Sequence, residues 1–256
     1  MSAPHPVPLQ KSSLRNEIFD FLSDQIVIGN YTPGQWLRQD EIATQLGVSQ
    51  TPVREALDLL VSAGLAERLP YRGVRVIKVS QDELIDIYVL RLVLEMAIVR
   101  LAIHNISPEQ QQRIHQILEQ ISELHTLNDI SQHRRLNKQF HQTIAEASGN
   151  KQLEAQYKMA ANRFPEWMLY DHIVRNPQIL ETIFSKELLE HRAIAEALAS
   201  GDSILALCRT LDHLHGLRED FAHITGIPVD TMKEKESQLG IHQFIQALKI
   251  GENNPQ

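Results

Sequence analysis

Four side chains in the second half of the chain could hold a metal ion. Asn137 and His141 are four residues apart in one amphipathic segment, which places both on the same helix face within reach of one ion. His191 shares a stripe with Leu188, Ala195 and Leu198, and His213 lies beside Leu207, Leu211 and Leu214. Two more imidazoles therefore turn inward from two further helices. Three imidazoles and one side-chain oxygen suit a borderline divalent ion, zinc first, with nickel and manganese as alternatives. Such a set leaves coordination positions for water or a ligand. An inward histidine can equally be a hydrogen-bonded core residue, and spacing alone leaves both readings open.

Arg91 belongs to the stripe Leu84, Ile87, Arg91, Leu94, Ile98, so a charge that cannot be neutralised points toward an apolar interior and requires an anion. Glu95, one turn on, is one partner. The carboxylate of a small effector is the other, and the sequence does not choose between them. His133 and His215 read as surface residues.

A second group of polar residues suits nucleic acid. Gln50, Thr51 and Arg54 fall on the exposed side of the first turns of a helix starting near Ser49. There glutamine can read adenine, arginine can read guanine and threonine can hold phosphate. Arg72 and Arg75 flank the turn Pro70-Tyr71-Arg72-Gly73. On a small helical domain the same residues would be ordinary solvated side chains.

The elements that must position these groups follow from periodicity. Leu14, Ile18, Leu22 and Ile26 make one face of a helix between Ser13 and Asn30. A short helix over 39–46 stops at Gly47, and a third begins at Ser49 as cap, with Pro52 in its first turn and Val53, Leu57, Leu60 and Val61 inward. Segments 65–69 and 74–79 read as two strands around the Pro70–Gly73 turn. Beyond Gln81 there are only helical patterns, about 81–104, 107–126, 130–148, 151–173, 177–199 and 202–224, separated by short breaks that favour antiparallel neighbours. The expected fold is mostly α: an amino-terminal winged helix-turn-helix with a small β wing, then an all-α antiparallel helical bundle. The expected divisions are a disordered tail at 1–12, the winged domain at 13–79, the bundle at 80–225, and a tail at 226–256 whose Ile241, Phe244, Ile245 and Leu248 form an amphipathic helix.

Composition limits the function. The chain of 256 residues has one cysteine, Cys208, so no internal disulfide framework exists and a reducing cytosol is compatible. The amino terminus has three prolines in eight residues and no apolar signal core, and the most apolar stretch, 85–103, carries Asp86, Arg91, Glu95 and Arg100. We expect a cytoplasmic protein with no membrane partner. Net charge is −7, yet residues 1–80 balance eight basic against eight acidic residues, and eleven of the twelve histidines lie beyond residue 100. The imbalance and any metal chemistry belong to the second half.

The run Gly47-Val48-Ser49-Gln50-Thr51-Pro52-Val53-Arg54-Glu55-Ala56-Leu57, with Leu60, Gly64-Leu65 and Arg72-Gly73, resembles the GntR family over about residues 13–79. The second half resembles the FCD ligand-binding domain of its FadR-like branch. The resemblance implies that Ser49, Thr51 and Arg54 contact DNA and that Gly73 and its neighbours enter the minor groove. Gln50 and Asp40 stand where the family has arginine, which removes two expected contacts. Asn137, His141, Ala147-Ser148-Gly149-Asn150, His191, Gly201-Asp202 and His213 are similar to the metal-binding FCD pattern, with Asn137 where many relatives have aspartate. The matching arginine of such relatives faces the ligand cavity, which implies an effector role for Arg91. Together these imply a homodimeric repressor of a palindromic double-stranded operator, controlled by a small organic acid at a metal-containing site. Two alternatives stand beside it: a metal-free regulator of a larger acyl ligand, and a zinc-dependent hydrolase, although no HExxH-type run accompanies the histidines.

Overall fold

The computed structural model describes residues 11–240 together with Gln243 and Gln246. Most of the expected tail at 1–12 and the expected amphipathic turn at Ile241, Phe244, Ile245 and Leu248 lie outside the described residues. Lys11 and Ser12 do not belong to a tail; they open the first helix. The chain divides into two compact units, Met1–Lys78 and Val79–Gln256.

The first unit contains helix α1 (Lys11–Val27), strand β1 (Trp36–Leu37), α2 (Gln39–Leu46), α3 (Gln50–Ser62), β2 (Ala66–Leu69) and β3 (Gly73–Val76). Gly47 ends α2 at φ 65 and ψ 32, a left-handed conformation that costs a Cβ-bearing residue energy, so the sharp turn into α3 falls at glycine. Ser49 occupies the N-cap position of α3 in extended backbone, but its side chain makes no capping hydrogen bond, contrary to expectation. Ile18, Leu22 and Ile26 of α1 are buried, as are Val53, Ala56, Leu57 and Leu60 of α3 and Val74 and Val76 of β3. The sheet has three antiparallel strands in the order β1-β3-β2, with Trp36 opposite Arg75 and Leu69 opposite Gly73. Only two strands were expected; β1, with two residues, is too short to carry an alternating pattern.

Among the described residues the second unit contains the α-helices α4 (Gln81–Asn105), α5 (Pro108–Ser122), α6 (Ile130–Ala147), α7 (Lys151–Arg163), α8 (Trp167–Arg175), α9 (Leu180–Ser200), α10 (Ser203–Thr225) and α11 (Val229–Ser237). Ser80 and Glu83 form a reciprocal capping box at the start of α4, and Ser107 and Gln110 form another at α5, fixing where each helix begins. Helix α4 packs against α6, α7, α9 and α10 and is buried on several sides. The expected helix over 151–173 is two helices. Phe164 precedes Pro165 and adopts φ −69 and ψ 126, because a residue before proline is driven out of the helical region.

Helix α11 was not expected from the sequence. Its Met232 is fully buried. Its Glu236 accepts hydrogen bonds from the Tyr88 hydroxyl and, at 2.6 Å, from Arg218 Nη1, with His215 Nε2 3.3 Å away. These contacts hold α11 against α4 and α10. Among the described residues no helix is long and apolar enough to cross a membrane.

Leu60 is completely buried in the first unit. Leu60→Ala should cost that unit about 2–5 kcal/mol through lost contacts and the cavity left behind, read as loss of hydrogen-exchange protection in α1 and α3.

Candidate metal centre and nucleic-acid interface

The second unit brings three imidazoles together. The ligand nitrogens of His141 on α6, His191 on α9 and His213 on α10 all lie within 4.8 Å of one another. Ring centroids are 5.0 Å apart for His141 and His191, 5.2 Å for His141 and His213, and 4.8 Å for His191 and His213. All three side chains are buried, and so is Asn137, which lines the same cavity as His141 and His213. That cavity has a volume of about 30 Å³, room for an ion with one or two waters.

The donor set fits a metal on a direct observation. Both ring nitrogens of His191 and the Asn137 Oδ1 are buried without a hydrogen-bond partner. Unsatisfied buried polar atoms of this kind are costly and few in folded chains; a cation would satisfy the Asn137 oxygen and one of the two His191 nitrogens, the other carrying the ring hydrogen. Burial, reinforced by the neighbouring imidazole of His213, holds the pKa of His141 and of His191 well below the usual histidine value. Both rings are therefore neutral near pH 7, the form that binds metal.

Carboxylates stand behind the imidazoles. Glu190 Oε2 is 2.8 Å from His213 Nδ1, Glu95 Oε2 is 3.6 Å from His141 Nδ1, and Glu187 Oε1 is 4.0 Å from His191 Nε2. Only the first of these is a hydrogen bond, and a carboxylate so placed orients a histidine ligand and raises its basicity. Sequence reasoning missed Glu187 and Glu190. The four-residue spacing of Glu187 and His191 was the available signal, but an i, i+4 Glu–His pair is common on helix surfaces. Burial raises Glu187 to about 8, with Glu166 and Glu190 adding like charge.

Arg91 pairs with its neighbour Glu95. It is 1% exposed; Nε and Nη2 donate to Glu95 Oε1 at 3.0 and 2.8 Å, Nη1 approaches Glu166 at 3.4 Å, and the guanidinium lies 4.6 Å above Phe164. Glu95 thus joins Arg91 to His141. His133, expected at the surface, is 1% exposed. It stacks on Phe184 at 3.7 Å, contacts the Tyr170 hydroxyl at 3.4 Å and sits 3.7 Å from Glu187. The α6 register that turns Asn137 inward also turns inward the residue one turn before it. His215, read as a surface residue as well, is half-buried beside Glu236.

In the first unit, Ser49, Gln50, Thr51 and Arg54 are all exposed at the start of α3, and Gln50 accepts a hydrogen bond from Gln39 at 3.3 Å. Arg72 and Gly73 are exposed at the β2–β3 turn, Gly73 at φ 104. Arg75 does not flank the tip as expected. It stands on β3 opposite Glu67, bonded to it at 2.8 Å, with its guanidinium 6.0 Å from the Trp36 ring. The tip itself presents Tyr71, fully exposed at φ 61, which the sequence reading passed over.

Glu95→Ala would leave Arg91 buried without its main partner and should cost about 3–5 kcal/mol. The double variant Arg91→Met, Glu95→Leu should recover much of that loss in a denaturant titration. Burial also lowers His133 from the usual 6.5 to about 4. The unfolded chain binds protons that this folded ring refuses, so stability present above about 6.5 should fall as pH drops toward 4. His133→Phe should flatten that slope.

Residues 86–216 match the family described as FCD domain, and residues 14–76 match bacterial regulatory proteins, gntR family. The chain is 33% identical over 132 residues to the HTH-type transcriptional regulator McbR of Escherichia coli K12, a match spanning 52% of this chain and 60% of that protein. It is 28% identical over 223 residues to a probable D-xylose utilization operon transcriptional repressor of Paenarthrobacter nicotinovorans, covering 85% and 93% of the two chains. The fold is similar to the solved structure of E. coli McbR/YncC, with a TM-score of 0.64 at 23% identity over 86% of this chain and 99% of that one. These relatives are transcription regulators, not enzymes, and the chain belongs to the GntR family of bacterial regulatory proteins as a transcriptional regulator with an FCD domain.

Proposed function

We propose that this protein is a cytoplasmic homodimeric repressor whose grip on a palindromic operator is set by a small organic acid at a metal ion in the FCD domain. The observation that carries the metal-dependent part is the buried triad of His141, His191 and His213, with Asn137 Oδ1 and both His191 nitrogens lacking partners. Zinc fits this donor set first, with nickel and manganese behind it. Asn137 donates through a neutral oxygen, so the site carries less negative charge than one built on aspartate. When bound, the ion supplies a positive centre able to hold a carboxylate. Arg91 lines the same cavity, and its longest contact, Nη1 to Glu166 at 3.4 Å, is the one we assign to an incoming effector carboxylate.

On the DNA side, Ser49, Gln50, Thr51 and Arg54 read the major groove, while Arg72 and Gly73 enter the minor groove, with Arg75 behind them holding the wing. Exposed Leu90, Val93 and Leu101 along α4 support a dimer, and two-fold symmetry would demand an inverted-repeat site. The effector would act by changing the separation of the two reading heads.

Two experiments test this reading. Duplexes selected from a random pool should carry an inverted repeat, and Arg54→Ala should weaken binding to them by about 1–3 kcal/mol while relaxing preference at one position in each half-site. Selection of sites without dyad symmetry would contradict the dimer. Operator titrations with zinc-loaded and metal-stripped protein, each against a panel of small carboxylates, should show an effector shift only with zinc; an equal shift without metal would contradict the metal's role.

A further inference from the structure

Glycine is among the poorest helix formers, yet Gly216 sits in the interior of the 23-residue helix α10. A Cβ built there would meet Glu190 Oε1 at 2.8 Å and Lys186 Cε and Nζ at 3.3 Å. Lys186 and Glu190 are one turn apart on α9 and straddle this glycine, Lys186 anchored to Asp220 at 2.9 and 3.1 Å and near the Gly216 carbonyl at 3.5 Å. Gly216 follows His213 by three residues, so the two share a face of α10. The oxygen that a Cβ would meet is Oε1, and the other oxygen of the same carboxylate, Oε2, lies 2.8 Å from His213 Nδ1, so the group that bonds His213 rests in part over the space the missing side chain leaves. An ionised carboxylate can only accept, so with Glu190 as its partner Nδ1 would carry the hydrogen and the neutral ring would present its Nε2 lone pair.

We propose that Gly216 and Glu190 form a positioning unit for His213, the glycine clearing the path for a carboxylate that fixes the tautomer and aim of that imidazole. The unit rests on the metal-site reading for its purpose but not for its geometry. Among the three imidazole–carboxylate approaches at the site it has the shortest distance, 2.8 Å against 3.6 and 4.0 Å, and so the strongest claim to set a ring orientation. Gly216→Ala, ordinarily a helix-favouring change, would drive Glu190 away and leave His213 able to rotate or to take the other tautomer. A glycine with a purely packing role would not change the affinity of a site one turn away.

The test uses the full chain and zinc alone, with a chelator competition giving the dissociation constant. Gly216→Ala and Glu190→Ala should each weaken zinc binding about 10- to 100-fold, Glu190→Gln less because its amide oxygen still accepts. The double variant Gly216→Ala, Glu190→Ala should be no weaker than Glu190→Ala, since both act through one carboxylate. A Gly216→Ala affinity within about twofold of the parent, or losses that multiply in the double variant, would overturn the proposal. Nitrogen-15 spectra of the metal-free protein supply the independent readout: His213 should be a fixed Nδ1–H tautomer in the parent and a mixture in both single variants. If the parent binds no zinc, the metal reading fails while these spectra still decide the positioning unit; one unchanged tautomer in all three proteins would sink it.

Discussion

Everything in the second unit is organised around the cost of placing hydrogen-bonding nitrogens where water cannot reach them. His191 is 1% exposed and stacks on Phe140 at 4.2 Å, so one face of its ring is spent on apolar contact while both nitrogens lack partners. Three helices, α6, α9 and α10, each deliver an imidazole to that point, and α4 delivers the Arg91–Glu95 pair beside it. A bundle stabilised by packing alone would gain from leucine at these positions. The polar groups there cost stability, and that cost supports the proposal that the interior holds a ligand.

The charges around the cavity point the same way. Glu166, Glu187, Glu190 and Asp220 line it against Arg91 and Lys186, an acidic wall in which a free anion would be poorly received and a divalent cation well received. Burial has already pushed His141 and His191 toward the neutral form and Glu187 up to about 8, so the interior holds fewer charges than its composition suggests. Arg91, which no environment neutralises, sits among them with Glu95 as its counter-ion and Phe164 beneath it.

The long elements of the fold were legible in the sequence because amphipathic spacing over many residues leaves a strong trace. The runs ending at Gly47 and Gly201 stop where a left-handed residue was expected. What escaped were features decided by one or two residues: the break at Pro165, the two-residue strand at Trp36–Leu37, and α11, whose attachment depends on Met232 and Glu236 rather than on a long stripe. At the centre, the burial of Asn137, His141, His191 and His213 was legible because helix period places them inward. Their partners were harder. Glu187 and Glu190 come from the same turns of α9 as residues that face outward, and only the packing of α9 on α10 reveals which way each carboxylate turns. His133 was missed for the same reason, its burial being set by Phe184 and Tyr170 on other helices.

Elemental analysis is the most direct test of this account, on protein purified without chelator or metal-affinity resin and compared with the double variant His141→Ala, His191→Ala. The account predicts roughly one divalent ion per chain in the parent and none in the variant. An equal metal content in both proteins, or no stoichiometric metal in the parent, would contradict it and leave the buried imidazoles as core residues of a metal-free regulator.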